Sequence, residues 1–333
     1  MYVVTGGAGF VGSNMVRALN ARGVTDILVV DNLETNSAKF LNLVGCAIAD
    51  YLDKREFLRL IESGRGLPKL TAVLHQGACS DTLELDGRYM MDNNYAWSKA
   101  LFGHCQTARV PLLYASSAAV YGASEAFGER PENERPLNVY GYSKLLFDDY
   151  VRRHLPRLQA PVIGFRYFNV YGPGEAHKGR MASVARQFFL QYGERACVQL
   201  FRGSGGHADG EQRRDFVAVQ DLTRVVLHFL DRPQVSGVFN LGSGEAASFN
   251  RVAQAVVNTC RAAAGEPALD LPALVDSGAL RYIDFPPGLA ARYQNYTQAD
   301  LSGLRLAGYD GEFMPVEQGV ATYVQDLLTG ARG

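Results

Sequence analysis

The chain has little cysteine, no surplus of charge and no long apolar run, and each shortage closes off a class of protein. Its five cysteines, Cys46, Cys79, Cys105, Cys197 and Cys260, stand far apart and form no CxxC pair. A disulfide framework and a structural zinc site are therefore not expected, whereas reduced thiols in a cytoplasmic protein are. No two of the six histidines sit at ligand spacing, so no metal is expected either. Lys and Arg total 33 against 34 Asp and Glu, for a net charge of −1. Proteins that hold nucleic acid neutralise phosphates with a positive surplus, so that partner is disfavoured. No stretch of about 18 apolar residues occurs, so no membrane span is expected. The first residues, Met1-Tyr-Val-Val-Thr-Gly6, read directly as a strand and leave no room for a signal peptide.

What is present is ordinary globular material: 333 residues, 47% hydrophobic and 20% charged, enough for two lobes. In the first half, short apolar runs alternate with helical periodicity. Strands are expected over 2–5, 27–31, 46–49, 72–75, 112–115 and 162–166, and helices over 10–22, 55–62, 93–108 and 142–154. That alternation predicts an α/β fold, a Rossmann-type doubly wound parallel sheet covered on both faces. Further helices are expected over 181–192, 219–231 and 249–263, with a strand over 238–241 that returns to the main sheet. The Gly-rich stretch 203–210 reads as a mobile surface loop. The expected organisation is a large α/β unit of residues 1–168 and 216–247 with a smaller, interleaved lobe of residues 169–215 and 248–333.

The first strand runs into Gly6-Gly7-Ala8-Gly9-Phe10-Val11-Gly12, a G-x-x-G-x-x-G turn ahead of a helix. The first glycine allows the tight turn, the second admits a pyrophosphate to the backbone, and the third lets helix and sheet approach closely. The helix N-terminus, with Phe10 and Val11, then offers free N–H groups to an anion. Asp31 ends the second strand about 20 residues on, where an acid holds an adenosine ribose. Alone it favours NAD, because a carboxylate repels a 2′-phosphate. Asn32, Lys39 and Lys54 lie nearby in sequence, and a lysine can neutralise such a phosphate, so NADP is the expected cofactor with NAD left open.

Tyr140-Gly-Tyr-Ser-Lys144 has the Y-x-x-x-K spacing, which places Tyr140 at the start of a helix and Lys144 one turn on, on the same side. A nearby ammonium and a positive nicotinamide ring are expected to lower the tyrosine pKa from about 10 and make it a usable base. Ser116 and Ser117 follow a strand, at the sheet edge where ligands collect.

Gly6, Gly9, Gly12, Asp31, Asn93, Ser117, Tyr140 and Lys144 fall in an order that resembles the extended short-chain dehydrogenase/reductases. In that family Ser, Tyr and Lys act on a sugar hydroxyl while a nicotinamide takes or returns hydride. Its dehydratases carry an Asp-Glu pair just after the active-site hydroxyl residue. Ala118 and Ala119 stand there instead, which disfavours elimination. Longer stretches are similar to the ADP-heptose 6-epimerases. They include His75-Gln-Gly-Ala-Cys-Ser80, Tyr89-Met-Met-Asp-Asn-Asn-Tyr95, Gly164-Phe-Arg-Tyr-Phe-Asn-Val-Tyr-Gly-Pro173 and His177-Lys-Gly-Arg-Met-Ala-Ser183. Arg214-Asp-Phe216 and Gly288 with Arg292-Tyr293 continue the match, which covers nearly the whole chain.

That resemblance implies inversion at C6 of an ADP-heptose, in the supply of lipopolysaccharide core heptose, by a homo-oligomer, a pentamer. No acidic C–H is available at C6, so oxidation to a 6-ketone and re-reduction on the opposite face is required. Two acid/base residues on opposite sides follow: Tyr140, and Lys178 carried over from the His-Lys-Gly match. The implied cofactor contacts add Gln76, Gly77, Ala78, Cys79, Ser80, Asn93, Lys144, Val170 and Lys178 to the glycine loop and the residues around Asp31. The implied substrate contacts are Asn169, Arg180, Gln187, Phe201, Arg202, Gly203, Ser204, Arg214 and Tyr293, Arg214 because its planar fork matches phosphate oxygens. Arg180, Gln187 and the long 203–212 loop depart from the family pattern. A UDP-hexose 4-epimerase and a non-catalytic dinucleotide sensor stand as the alternative readings.

Overall fold

The computed structural model describes residues 1–34, 36–64, 66–287 and 293–330. The strands are β1 (Tyr2–Thr5), β2 (Ile27–Asp31), β3 (Asp50–Asp53), β4 (Ala72–His75), β5 (Leu112–Ser117), β6 (Val162–Tyr167), β7 (Asn169–Tyr171), β8 (Val198–Phe201), β9 (Arg213–Ala218), β10 (Gly237–Leu241), β11 (Ala246–Ser248) and β12 (Leu280–Ile283). The helices are α1 (Phe10–Ala21), α2 (Lys54–Ser63), α3 (Gly87–Met90), α4 (Trp97–Ala108), α5 (Val139–His154), α6 (Val184–Arg195), α7 (Val219–Leu230), α8 (Phe249–Ala263), α9 (Leu271–Asp276), α10 (Ser302–Leu306) and α11 (Val316–Thr329). None of the described helices is long and apolar enough to cross a membrane.

Two compact units emerge. The first comprises Met1–Tyr167, Leu222–Leu241 and Asp300–Asp310. Its seven strands pair in parallel in the order β10-β6-β5-β4-β1-β2-β3. Strand order reverses between β1 and β4, so the crevice at their carboxyl ends is the ligand position of a doubly wound sheet. Central strands are apolar throughout because both faces are covered. On one face Val3, Leu28, Val30, Val73 and Leu112 meet Phe57 of α2, Trp97 and Leu101 of α4, and Phe147 and Val151 of α5. Elsewhere in this unit Phe229 of α7 meets Phe165 at a ring separation of 5.7 Å.

Two elements lie where sequence periodicity does not place them. The strand expected over 46–49 is instead β3, Asp50–Asp53, paired to β2 from Leu28↔Asp50 to Asp31↔Asp53. An edge strand needs no apolar run, and the apolar Val44 ahead of it is 61% exposed. The helix expected over 93–108 starts earlier, at Gly87, and passes through a π turn, Met91–Ala96, before α4. Such π turns mark functional positions often enough to direct attention to Asn93 and Asn94.

The second unit comprises Phe168–Asp221, Gly242–Ala299 and Gly311–Gly333. It holds a three-stranded sheet, β11-β9-β7, and the parallel pair β12-β8. Its core joins Val252, Val256 and Val257 of α8 to Val316, Val320 and Val324 of α11. Gly319 makes room there, since a Cβ would stand 1.9 Å from the Tyr171 hydroxyl and force that side chain to shift.

Beyond a one-residue shift at 168, the division differs from the sequence boundaries over 216–221 and 242–247, which lie in the second unit, and over 300–310, which lies in the first. Strand β9 stays whole in the second unit, because its ladder partners β7 and β11 are there. Residues 300–310 return to the first unit, where the Asp300 carbonyl accepts from Asn240 at 3.0 Å and Arg224 donates to the Tyr309 hydroxyl at 3.0 Å.

Candidate active site

In the first unit, the turn after β1 is shaped by glycine. Gly6 has φ +65°, and a Cβ there would meet the Gly77 backbone at 2.6 Å. A Cβ on Gly12 would stand 2.0 Å from the Gly6 carbonyl oxygen. Gly9 occupies the N-cap of α1 and has no side chain to cap the helix. This cradle fits a dinucleotide: backbone can approach closely, and the helix end offers N–H groups to a pyrophosphate.

Asp31 closes β2 and gathers donors. Its Oδ2 accepts from Ala8 N at 2.8 Å, and its Oδ1 accepts from Asn32 N at 2.6 Å and Lys39 Nζ at 2.7 Å. Asp31 and Lys39, proposed separately from sequence, thus form a largely buried ion pair. Lys54 goes elsewhere, donating to Asn93 Oδ1 at 2.5 Å, 5.6 Å above the Trp97 ring, and burial lowers its pKa. The π turn thereby places Asn93 against Lys54 and Asn94 against Cys79, whose N–H donates to Asn94 Oδ1 at 2.8 Å.

The segment after β4 is held along its length. The Tyr167 hydroxyl donates to Gln76 Oε1 at 2.9 Å, and Gly77 N to the Thr5 hydroxyl oxygen at 3.2 Å. His75, a residue given no role from sequence, is fully buried between the Thr5 and Ser98 hydroxyls at 2.6 and 2.8 Å. Burial first, then the positive charges of Lys144 and Lys54, holds it far below the usual imidazole range. It is a neutral clamp joining β1, β4 and α4.

Ser117, Tyr140 and Lys144 converge. Asn138 caps α5, its Oδ1 accepting from Gly141 N at 2.8 Å, so Tyr140 sits inside the first turn. Ser117 hydrogen-bonds the Tyr140 hydroxyl and accepts from Ala119 N at 3.1 Å. Ser116 is committed elsewhere: it donates to Asp148 Oδ2 at 2.9 Å, and only 2% of it is exposed. Lys144 donates to the Ala115 carbonyl at 2.8 Å. Burial lowers its pKa to about 8 against the opposing charge of Asp148. Tyr140 departs from expectation: burial raises its pKa, and the Ser117 hydrogen bond offsets only part of that. Desolvation of the phenolate outweighs the protein's own stabilising groups, so the expected lowering is not supplied by the protein alone.

In the second unit, Lys178 lies on a short 3₁₀ segment, Ala176–Met181. Burial lowers its pKa, and the carboxylate of Glu175 opposes this. Gly179 beside it takes φ +52°, ψ −123°, a conformation suited to glycine. Gln187 Nε2 donates to the Gly179 carbonyl at 2.8 Å, so this side chain supports the lysine turn. Arg180 is exposed; Asn169 opens β7, and Val170 pairs with Val217.

Arg214 is 8% exposed, its guanidinium carbon 5.1 Å from the Tyr293 ring centre and 5.7 Å from that of Phe249. Phe201 stacks on Phe285 at 4.4 Å, and Tyr293 stands edge-on to both. Phe249 and Phe285 complete an aromatic cluster that sequence reasoning missed, because nothing local links 201, 249, 285 and 293. Arg202 pairs with Asp284 at 3.2 Å and lies 3.6 Å from Asp209. The loop expected to be mobile is bonded shut: Gly203 N donates to Asp209 Oδ1 at 2.7 Å, Ser204 Oγ to Asn295 Oδ1 at 2.6 Å, and Gln212 Nε2 to the Arg202 carbonyl at 2.7 Å. Gly288 and Arg292 lie outside the described residues.

Residues 2–242 match the family model described as the NAD dependent epimerase/dehydratase family. The chain is 57% identical over 326 residues to the ADP-L-glycero-D-manno-heptose-6-epimerase of Thiobacillus denitrificans, covering 98% of each chain. Identity to the protein of the same name from Alkalilimnicola ehrlichii is 56% over 324 residues, 97% of this chain and 96% of that one. The crystal structure of the Helicobacter pylori ADP-L-glycero-D-manno-heptose-6-epimerase superposes with a TM-score of 0.81 at 30% identity, covering 98% of this chain and 96% of that one. The resemblance read from the sequence and the Rossmann-type fold are both borne out.

Proposed function

This chain belongs to the NAD dependent epimerase/dehydratase family, and from that premise we propose that it inverts C6 of ADP-D-glycero-D-manno-heptose to give the L-glycero epimer. The observation that carries this reading is the Ser117–Tyr140–Lys144 arrangement in a chain 57% identical, end to end, to a curated 6-epimerase. A sensor without turnover would have no use for that set. Ala118 and Ala119 supply no acid or base for elimination.

When bound, the nicotinamide accepts and returns a hydride, so no net oxidant is consumed. The remaining work falls to side chains. Ser117 orients the reacting oxygen, and Tyr140 takes or gives its proton. Lys144, charged below about pH 8, favours the phenolate that burial alone disfavours. Re-reduction on the opposite face needs a second proton carrier, which we assign to Lys178, whose pKa burial lowers from the usual lysine value. Asn169, Arg214, Tyr293 and the Phe201–Ser204 strand end are assigned to the sugar nucleotide. NADP is the favoured dinucleotide, because Lys39 neutralises the Asp31 carboxylate that would repel a 2′-phosphate. The product's use is in lipopolysaccharide core heptose, and the working form is a homo-oligomer.

A proton NMR time course with ADP-D-glycero-D-manno-heptose, protein as purified and no added cofactor, tests the reading. Growth of the L-glycero signals supports it. No change, even after NADP⁺ and NAD⁺ are supplied, refutes it and turns attention to UDP-sugars.

A further inference from the structure

Helix α5 is bonded to strand β5 at three successive turns. Tyr140 meets Ser117, Lys144 donates to the Ala115 carbonyl at 2.8 Å, and Asp148 accepts from Ser116 Oγ and the Tyr114 hydroxyl, each at 2.9 Å. Residues 140, 144 and 148 share one helix face, so the three contacts form a continuous seam. The first two belong to the chemistry already described; the third has no role in it.

Asp148 is completely buried and accepts a third bond, from Arg166 Nε at 2.9 Å. Arg166, equally buried on β6, also donates to Glu134 Oε1 at 2.5 Å and to the Tyr121 hydroxyl at 3.1 Å. Arg152 binds the same glutamate. Arg152 also pairs with the partly exposed Asp149 at 3.1 Å, so three carboxylates face two guanidiniums, and the buried ammonium of Lys144 lies one helical turn from Asp148 in this cluster. Burying a charge is unfavourable unless an opposite charge and hydrogen bonds attend it. Facing Lys144 are Asp148 from its own helix, Cys79 from the segment after β4, and His75, held neutral, in β4, while Tyr140 precedes it by one turn on the same helix face.

We propose that Asp148 is a positioning residue that keeps Lys144 charged and fixes the register of α5 on β5, so that the lysine and Tyr140 stay matched to Ser117. This rests on the epimerase reading for its consequence in turnover, but not for its effect on the lysine. Ser116 and Tyr114, rather than acting on substrate, are the donors that anchor the carboxylate.

Only six lysines are present, at 39, 54, 69, 99, 144 and 178. Selective labelling of lysine Cε with ¹³C in the holoenzyme gives one signal for each, and Lys144→Arg assigns the one of interest. In Asp148→Asn the Lys144 titration midpoint is expected to fall by about one pH unit, the lower end of the effect of an adjacent opposite charge. The other five signals should stay in place, and Asp148→Glu should restore the midpoint. The basic limb of the kcat profile moves to lower pH with it. An unchanged Lys144 midpoint in folded Asp148→Asn overturns the proposal.

Should Asp148→Asn fail to fold, the Ser116→Ala/Tyr114→Phe double variant removes two donors and no charge. Its kcat is expected to fall about tenfold with KM nearly constant, as for loss of an interaction that matters in the transition state; an unchanged kcat contradicts the proposal. Absence of epimerisation by the unsubstituted protein would count against the activity reading alone, because the NMR titration needs no substrate.

Discussion

Lys39 reaches back eight residues to donate to Asp31 Oδ1 at 2.7 Å, and both side chains are largely buried. The acid that classically holds a ribose is thus neutralised by a cation a phosphate can also use. Lys39→Ala is expected to weaken NADP binding about tenfold or more while NAD binding changes little, the loss of one charge-assisted contact. Titration calorimetry with each dinucleotide measures the ratio. Equal losses for both would mean that Lys39 only holds the loop.

Gly12 tests the cradle. A Cβ there would stand 2.0 Å from the Gly6 carbonyl oxygen, so Gly12→Ala should displace the turn and abolish tight dinucleotide binding. Gly319→Ala is the matched control in the second unit. It forces a shift against Tyr171 and is expected to cost about 1–3 kcal/mol of stability. Thermal melts and bound-cofactor absorbance separate the two.

Tyr140→Phe and Lys178→Met should each lower kcat by about 10²–10⁴, the usual worth of a positioned acid or base. Substrate affinity should change far less, since neither removes a principal phosphate contact. A Lys178→Met protein with near-normal turnover would remove the second proton carrier from the mechanism and favour a 4-epimerase.

The lowered pKa of Lys144, about 8, sets a pH dependence. The ammonium is present below that value and lost as pH rises through it, so turnover should decline on the alkaline side with a midpoint near 8. Lys144→Arg keeps its charge throughout and should lose this limb at a lower overall rate. A wild-type profile flat to pH 10 would contradict the assignment.

Gln187 stands where the family pattern led us to expect a substrate contact, yet it donates to the carbonyl of Gly179 at 2.8 Å. Gln187→Ala should therefore lower kcat several-fold through a looser Lys178 turn, with KM for the sugar nucleotide little affected. A rise in KM at constant kcat would restore the substrate-contact reading.

Much of this was legible because the signals were local. The parallel sheet announced itself in apolar runs such as 27–31, and the candidate catalytic set in the spacing from Tyr140 to Lys144. The polar edge strand β3 carried no such pattern, and the π turn at Met91–Ala96 has no periodicity of its own to read. Distance in sequence hid the rest. The bond from Arg166 to Asp148 and the stacking of Phe201 on Phe285 join residues that no short motif connects. The glycines of 203–210 suggested freedom, but the partner that ties the loop, Asn295, lies far along the chain.

The most direct test of the central claim is epimerisation in D₂O, with the C6 proton of the product followed by NMR. Oxidation and re-reduction by a bound nicotinamide predict L-glycero product that retains its original hydrogen at C6. Solvent deuterium at C6, or no L-glycero product at all, would contradict the account.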